Sequence, residues 1–273
     1  MAIARLSWKQ KRQRMKISII TPSYNQGRFI EDAILSVLSQ GYADFEHIVI
    51  DNCSTDNTLD ILKKYPHVKW VSEPDQGQSH ALNKGFHRST GEILCWLNCD
   101  DFYLPGAFHA AAAALEDDNT DGVYSDLKFC DIDKNIVKHY RSHRPARFLS
   151  LFHAFISSEC FFFKRSIIDN AISVQEDLHY CMDQEFAANI LYHNYRLRYL
   201  RTCFAVFRWQ GANKSLDVPP LRTQRIREGI RIFNRYNGLL KIDEERKMNR
   251  SLYTLGRNLL KPYRVFLRMT TFG

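Results

Sequence analysis

No window of the 273 residues approaches the roughly 18 consecutive apolar residues that a membrane-spanning helix requires, although 45% of the chain is hydrophobic. The opening stretch, MAIARLSWKQKRQRMK, is basic but lacks the apolar core and small-residue cleavage site of a secretory signal. Ordered cysteine pairs are missing too. The seven cysteines, at 53, 95, 99, 130, 160, 181 and 203, are an odd number, and the close pair Cys95 and Cys99 has no second pair downstream. A disulfide framework and a paired-cysteine zinc module are therefore not expected, and the thiols read as reduced in a cytoplasmic protein. No G-x-G-x-x-G follows the first apolar segment, no G-x-x-x-x-G-K-[ST] occurs, and the ten histidines form no H-E-x-x-H pair. The usual dinucleotide fingerprint, the P-loop and the zincin helix are thus excluded. Internal repeats and low-complexity tracts are also absent.

The net charge of +8 is carried mainly at the two ends, in residues 5–16 and from Arg222 to Arg268. A nucleic-acid binder would spread its basic residues along a recognition element with aromatic partners, so nucleic acid is not an expected partner. Two basic ends around a balanced body suit either a solvated face or an anionic membrane surface. Ile232, Phe233, Leu239, Leu240, Leu255 and Leu259 provide an apolar stripe on the helical period that runs from Pro219 onward.

What the chain does contain is an alternation. KISII (16–20) reads as a strand ending at a Thr21-Pro22 turn, and FIEDAILSVLSQG as a helix stopped by Gly41. FEHIVID is a second strand, followed by the N-cap candidates Ser54 and Thr55 and a helix through Leu62. VKWVSE, the helix GQSHALNKGFHRS, the strand GEILCWLN, an alanine-rich helix opened by Pro105 and the strand GVYSD complete the rhythm. This is an α/β pattern: a mostly parallel sheet sandwiched by helices. Further on, CFFFK (160–164) reads as a buried strand, YCMDQEFAANILYH as a helix and RLRYLRTCFAVFRW as strand.

Ligands of open α/β sheets bind beyond the carboxyl ends of the strands, and the acids gather there. Asp51 ends the second strand, Glu73 and Asp75 follow the third, and Asp100 and Asp101 follow the fourth. Core packing gives no reason to place carboxylates at three successive strand ends. Adjacent like charges such as Asp100 and Asp101 call for a positive partner. With no phosphate-binding loop in the sequence, that partner is expected to be Mg²⁺ or Mn²⁺, held by one or two carboxylates and by phosphate oxygens.

Four blocks in order, ISIITPSYNQGRFIEDAILSVLSQ, HIVIDNCSTDNT, SEPDQGQSHALNKGF and GEILCWLNCDDFYLPGA, resemble the family 2 glycosyltransferases, with a weaker match through FFFKRS, MDQEF and FRWQGANKS. The resemblance implies the Rossmann-like GT-A fold. It further implies a nucleotide-sugar donor, UDP-linked by expectation, and a carbohydrate or lipid-linked acceptor in surface polysaccharide or glycolipid synthesis. It places Pro22, Ser23 and Tyr24 around the base, Asp51 on the base edge, and Asp75, Asn83 and Lys84 near the nucleotide and diphosphate. The D-x-D-type metal motif falls on Asn98-Cys99-Asp100. Asp100 and the adjacent Asp101 are the metal candidates, and Asn98 replaces the first acid. The general base falls on Asp183, with Glu185 as its competitor, and displacement inverts the anomeric carbon. Some relatives carry a His where this chain has Trp209 and Gln210. The implied organisation is a basic segment 1–15, a transferase domain 16–215 divided at 128/129 into nucleotide and acceptor halves, and a basic helical extension 216–273. Localisation is expected in the cytoplasm, with peripheral contact to anionic membrane through the last helices. A nucleotidyltransferase and a non-catalytic binding protein on the same scaffold are the competing readings.

Overall fold

The computed structural model describes residues 15–211, 213, 218–236 and 250–261. The N-terminal basic segment up to residue 14, Leu239 and Leu240 lie outside the described residues. Four parallel strands form one half of the sheet: β1 (Ile17–Ser23), β2 (Phe45–Asp51), β3 (Val68–Ser72) and β4 (Ile93–Trp96). They are joined by α1 (Ile30–Leu38), α2 (Thr58–Leu62) and α3 (Gln78–Arg88). The sheet continues through β5 (Phe102–Tyr103), β6 (Gly122–Cys130), β7 (Ile136–Tyr140), β8 (Phe161–Lys164) and β9 (Leu197–Arg208). The order is β3-β2-β1-β4-β8-β6-β9-β5, with β7 paired to β6. The pairs β4–β8, β6–β8, β6–β7 and β5–β9 are antiparallel, and β6–β9 is parallel. The remaining helices are α4 (Ala107–Leu115), α5 (Arg147–Ser150), α6 (Ser166–Asp169), α7 (Met182–Tyr192), α8 (Pro219–Tyr236) and α9 (Arg250–Leu259).

Both sheet faces are covered, and the strand alternation shows it. Leu94, Trp96, Phe161 and Phe163 join one core with Phe86 and Phe186, while Ile93, Cys95 and Phe162 join the other with Phe108 and Phe204. The helix α3 lies so close to β1 that a Cβ on Gly85 would sit 2.3 Å from Ile20 Cγ2. β1 runs three residues further than the Thr21-Pro22 turn suggested. Ser23 O accepts from Asn52 N, so Pro22 faces the β4 side, where the ladder has already ended at Ile20–Trp96. The missing N–H of proline therefore costs no sheet hydrogen bond.

Other boundaries move for local reasons. Helix α2 starts at Thr58 because Ser54 is committed to Asp51, while Asp56 accepts from Thr58 N and Oγ1 instead. Gly106, in the left-handed region at φ 83°, delays α4 to Ala107. The 128/129 division does not separate two halves, since it falls inside β6. Nor do the C-terminal helices stand apart: Ile226, Ile232, Phe233, Tyr236 and Tyr253 are buried in the same core as Leu82, Trp96 and Phe186. A Cβ on Gly229 of α8 would meet Tyr253 Oη of α9 at 2.0 Å, so the two helices are in close contact. Leu255 and Leu259 are exposed.

Candidate active site

A cavity of about 670 Å³ opens at the carboxyl ends of β1 and β4 and is closed on its far side by α7, α8 and α9. Pro22, Ser23, Tyr24, Asp75, Asn98, Asp100 and Asp183 all line it. Asp51, Asn83, Lys84 and Asp101 do not, and each is engaged elsewhere.

The wall around Tyr24 is built by the loop after β2. Asn25 takes a left-handed conformation (φ 52°), which Asn tolerates better than most residues. Its N–H donates to Ser54 Oγ, and its Oδ1 accepts from Thr55 N at 2.8 Å. Asp51 organises this loop: it accepts from Ser54 N (2.9 Å), Ser54 Oγ (2.5 Å) and Ser72 Oγ (2.7 Å). Asp51 thus holds the loop after β2 and does not itself line the cavity in this structure. Asn52 and Gln26 face the cavity instead, and Gln26 Oε1 is buried without a hydrogen-bond partner.

Asp75 Oδ1 accepts from Gly77 N (2.7 Å), and Asp75 N donates to Asn52 Oδ1 (2.9 Å). Gly77 and Gln78 open α3 toward the cavity, so the positive end of that helix lies beside Asn98. Asn83 sits further along α3, where it brackets Val174 through the backbone carbonyl and N–H and also reaches Glu176. Lys84 donates to Pro74 O and pairs with Glu73. Both side chains brace the walls rather than the cavity.

The turn from Asn98 to Asp101 is held from β9. Arg208 N donates to Asp101 Oδ1 (3.0 Å), and Asn98 Nδ2 donates to Asp101 Oδ2 (3.0 Å). Asp101 is completely buried beneath the turn, where both of its carboxylate oxygens accept hydrogen bonds, and it does not line the cavity. The Arg208 guanidinium lies against the rings of Phe29 and Phe102. From there it donates to Asp100 O (3.0 Å) and to Asp32 Oδ2 (2.6 Å). Asp100 is left facing the cavity. Its Oδ2 accepts from Gln210 Nε2 (2.6 Å) and Asn213 Nδ2 (3.3 Å), and both of these side chains line the cavity.

Asp183 lies in the first turn of α7, with Oδ1 accepting from its neighbour Gln184 N at 2.7 Å. Burial raises its pKa to about 6, and the charge of Glu228 adds to the rise. Glu185 is fully buried against Tyr236 Oη (2.6 Å) and Arg235 Nη1 (3.0 Å) and does not line the cavity. Two residues missed by sequence reasoning also belong here. Glu159, just before β8, lines the cavity, is pushed up to about 7 by burial with added repulsion from Asp183 and Asp100, and has one oxygen without a partner. Glu228 on α8 accepts from the backbone N–H groups of His179 (3.0 Å), Tyr180 (2.8 Å) and Cys181 (2.9 Å), fixing the segment that leads into Asp183. Neither has a flanking motif. A buried-strand reading around Phe161 gave no reason to single out the preceding glutamate.

Burial also raises Asp100, and Asp101 rises well above the usual carboxylate range through burial and the charges of Asp100 and Glu159. Four carboxyl groups thus converge in one poorly solvated place. That concentration of negative charge favours a cation. One cavity-facing aspartate flanked by amide side chains is an all-oxygen donor set once the amides are turned, suited to a hard divalent ion that also binds phosphate oxygens.

A parallel half-sheet with an acid-lined cavity beyond its strand ends, completed by a mixed half and by α7, which supplies a carboxylate, is the GT-A architecture. The profile of glycosyl transferase family 2 matches residues 18–172, more than half of the sequence, and the chain belongs to that family. It is 34% identical over 136 residues to the uncharacterized glycosyltransferase alr2836 of Nostoc, covering 48% of this chain and 42% of the relative. It is 42% identical over 91 residues to TuaG of Bacillus subtilis, a glycosyltransferase named for teichuronic acid biosynthesis, covering 31% of this chain and 36% of the relative. The chain therefore aligns with less than half the length of either relative. Staphylococcus aureus TarS in complex with UDP superposes with a TM-score of 0.64 at 22% identity, covering 85% of this chain and 68% of TarS. The mannosyltransferase PcManGT of Pyrobaculum calidifontis, in complex with GDP-Man and Mn²⁺, gives 0.60 at 18% identity, covering 95% of this chain and 74% of the other. At such identities the two superpositions speak for the fold.

Proposed function

We propose that this protein is an inverting glycosyltransferase that moves a sugar from a nucleotide-sugar, UDP-linked by preference, to an acceptor hydroxyl. The carrying observation is that Asp100, in the turn after β4, and Asp183, in the first turn of α7, face one cavity, the first beside the donor-side wall and the second beside the C-terminal helices. Pro22, Ser23 and Tyr24, together with Asn52 and Gln26, would receive the nucleoside, and Asp75, Gln78 and Asn98 would border the diphosphate. Asp100, helped by Asn98, Gln210 and Asn213, would hold Mn²⁺ or Mg²⁺, whose chemistry when bound is to neutralise charge on the leaving diphosphate. Asp183 takes the acceptor proton as the hydroxyl attacks the anomeric carbon. With a pKa of about 6 it is mostly ionised at neutral pH yet basic enough to be useful. Attack from the face opposite the leaving group inverts that carbon.

The acceptor would approach between Glu159, His179 and the cavity-lining residues Tyr253 and Arg257 of α9. A carbohydrate or lipid-linked acceptor of a surface polysaccharide or glycolipid fits this reading. It is supported by the name of TuaG and by the poly(ribitol-phosphate) β-N-acetylglucosaminyltransferase activity named for TarS, 29% identical over 121 residues. No helix among the described residues is long and apolar enough to cross a membrane. Contact with anionic lipid would involve the side of α9 on which Leu255 and Leu259 are exposed.

The test is nucleoside diphosphate release from a panel of UDP- and GDP-sugars with Mn²⁺ present, with and without candidate acceptors. Turnover of one donor that is lost in Asp183→Asn supports transfer. Donor binding without turnover across the panel would favour the non-catalytic reading.

A further inference from the structure

We propose that Asp126, His139 and Cys203 form a second metal site, for a zinc-class divalent ion, separate from the catalytic cavity. The three residues come from β6, β7 and β9, and none of them lines that cavity. His139 Nε2 lies 3.3 Å from Asp126 Oδ2 and 3.2 Å from Cys203 Sγ. All three donor atoms fall within 4.8 Å of one another. In a tetrahedral centre with Zn–N of about 2.0 Å and Zn–S of about 2.3 Å, neighbouring donors stand about 3.3–3.8 Å apart. Small side-chain shifts would bring these atoms to that spacing.

The backbone sets the cluster up. β6 pairs with β7 on one edge and with β9 on the other, and β9 breaks register beside Asp126. Leu200 faces Ser125, Cys203 faces Asp126 and Ala205 faces Leu127, so Arg201, Thr202 and Phe204 are extra residues in β9. Irregularities of this kind re-aim a side chain, and here the sulfur is delivered opposite the buried carboxylate. Asp126 is itself oriented: Oδ1 accepts from Tyr199 Oη (2.5 Å) and Ser142 N (2.9 Å), leaving Oδ2 for His139. Ligating carboxylates are usually held by outer hydrogen bonds of this kind, here from Tyr199 and Ser142.

The donor chemistry selects the ion. Thiolate and imidazole favour Zn²⁺ over the Mg²⁺ or Mn²⁺ proposed beside Asp100. Binding expels the Cys203 proton to solvent, and a thiolate, a carboxylate and a neutral imidazole balance the two positive charges. The His139 side chain is 43% exposed, so water can occupy a fourth position. The ion would clamp β7 and β9 to β6. The cluster was not foreseeable from spacing, because its three residues lie far apart in sequence and meet only through the sheet.

The experiment uses tag-free full-length protein stripped with a chelator and titrated with Co²⁺, then Zn²⁺. The expected result is a thiolate-to-cobalt charge-transfer band saturating at one equivalent and displaced by Zn²⁺. The band should vanish in Cys203→Ser, persist in Asp100→Ala, and require more than about tenfold more Co²⁺ in His139→Ala. Zn²⁺ should raise the melting temperature of the wild type but not of Cys203→Ser. Absence of the band, or a band that survives Cys203→Ser, would overturn the proposal and leave a His139–Asp126 ion pair beside an ordinary thiol.

Discussion

Replacing Asp183 by Asn should abolish transfer and at the same time stabilise the fold, by an amount that depends on pH. In the folded protein burial raises Asp183 from the usual 3.8 to about 6. The unfolded chain therefore gives up this proton first as pH rises. Below pH 3.8 both states are protonated and the buried carboxyl costs nothing. Between 3.8 and about 6 the folded state is progressively penalised, and above that window the penalty is constant at about 3 kcal/mol. Asparagine is nearly isosteric, does not titrate and keeps an oxygen for Gln184 N. Its advantage over the wild type should thus be about half as large at pH 5 as at pH 8, where it reaches about 3 kcal/mol. Urea unfolding of both proteins at the two pH values, with chelator and no nucleotide present, measures it. If Asp183→Asn is no more stable than the wild type at pH 8, or if the gap does not change with pH, then the carboxylate is solvated or paired and the assignment of a strained base fails.

The same raised pKa predicts that kcat/KM for the donor–acceptor reaction rises with pH and reaches half its plateau near pH 6; a profile flat from pH 5 to 8 would remove Asp183 from the role of base. Glu228→Ala leaves three backbone donors without their carboxylate and should cost about 3 kcal/mol in urea unfolding, with kcat falling more than nucleotide affinity. A normal kcat in that variant would show that the 179–181 segment needs no anchor. Because α8 supplies core residues, truncation at Pro219 would disrupt the fold and is not a clean test of membrane contact. Leu255→Glu with Leu259→Glu should instead weaken sedimentation with anionic vesicles while leaving nucleotide binding unchanged, and undiminished sedimentation would remove α9 from the lipid interface.

Much of this architecture was legible because it follows from periodicity. The β1-to-β4 half alternates apolar strands with amphipathic helices, and Phe161, Phe162 and Phe163 divide between the two faces as a buried strand requires. The acids at strand ends were legible as a group but not one by one. Asp51 and Asp101 look like Asp100 in sequence, yet Ser54, Ser72 and Arg208 capture them; in the case of Arg208 and Asp101 the partner is 107 residues away. A local pattern cannot reveal which carboxylate such a partner will take. β7 escaped notice because Ile136 and Val137 are exposed, so no hydrophobic alternation marks it. β5 is only two residues long and exists because β9 pairs with it. The polar role of α8 was hidden inside a basic segment, where one buried glutamate among many arginines does the anchoring.

The most direct test of the account is calorimetric titration of the purified protein with UDP, with and without Mn²⁺, for wild type and Asp100→Ala. The account predicts tight binding only with the metal, weakened more than about tenfold, about 1.4 kcal/mol, in the variant. Failure of the wild type to bind UDP or GDP with any divalent metal would contradict it, as would binding indifferent to both Mn²⁺ and Asp100.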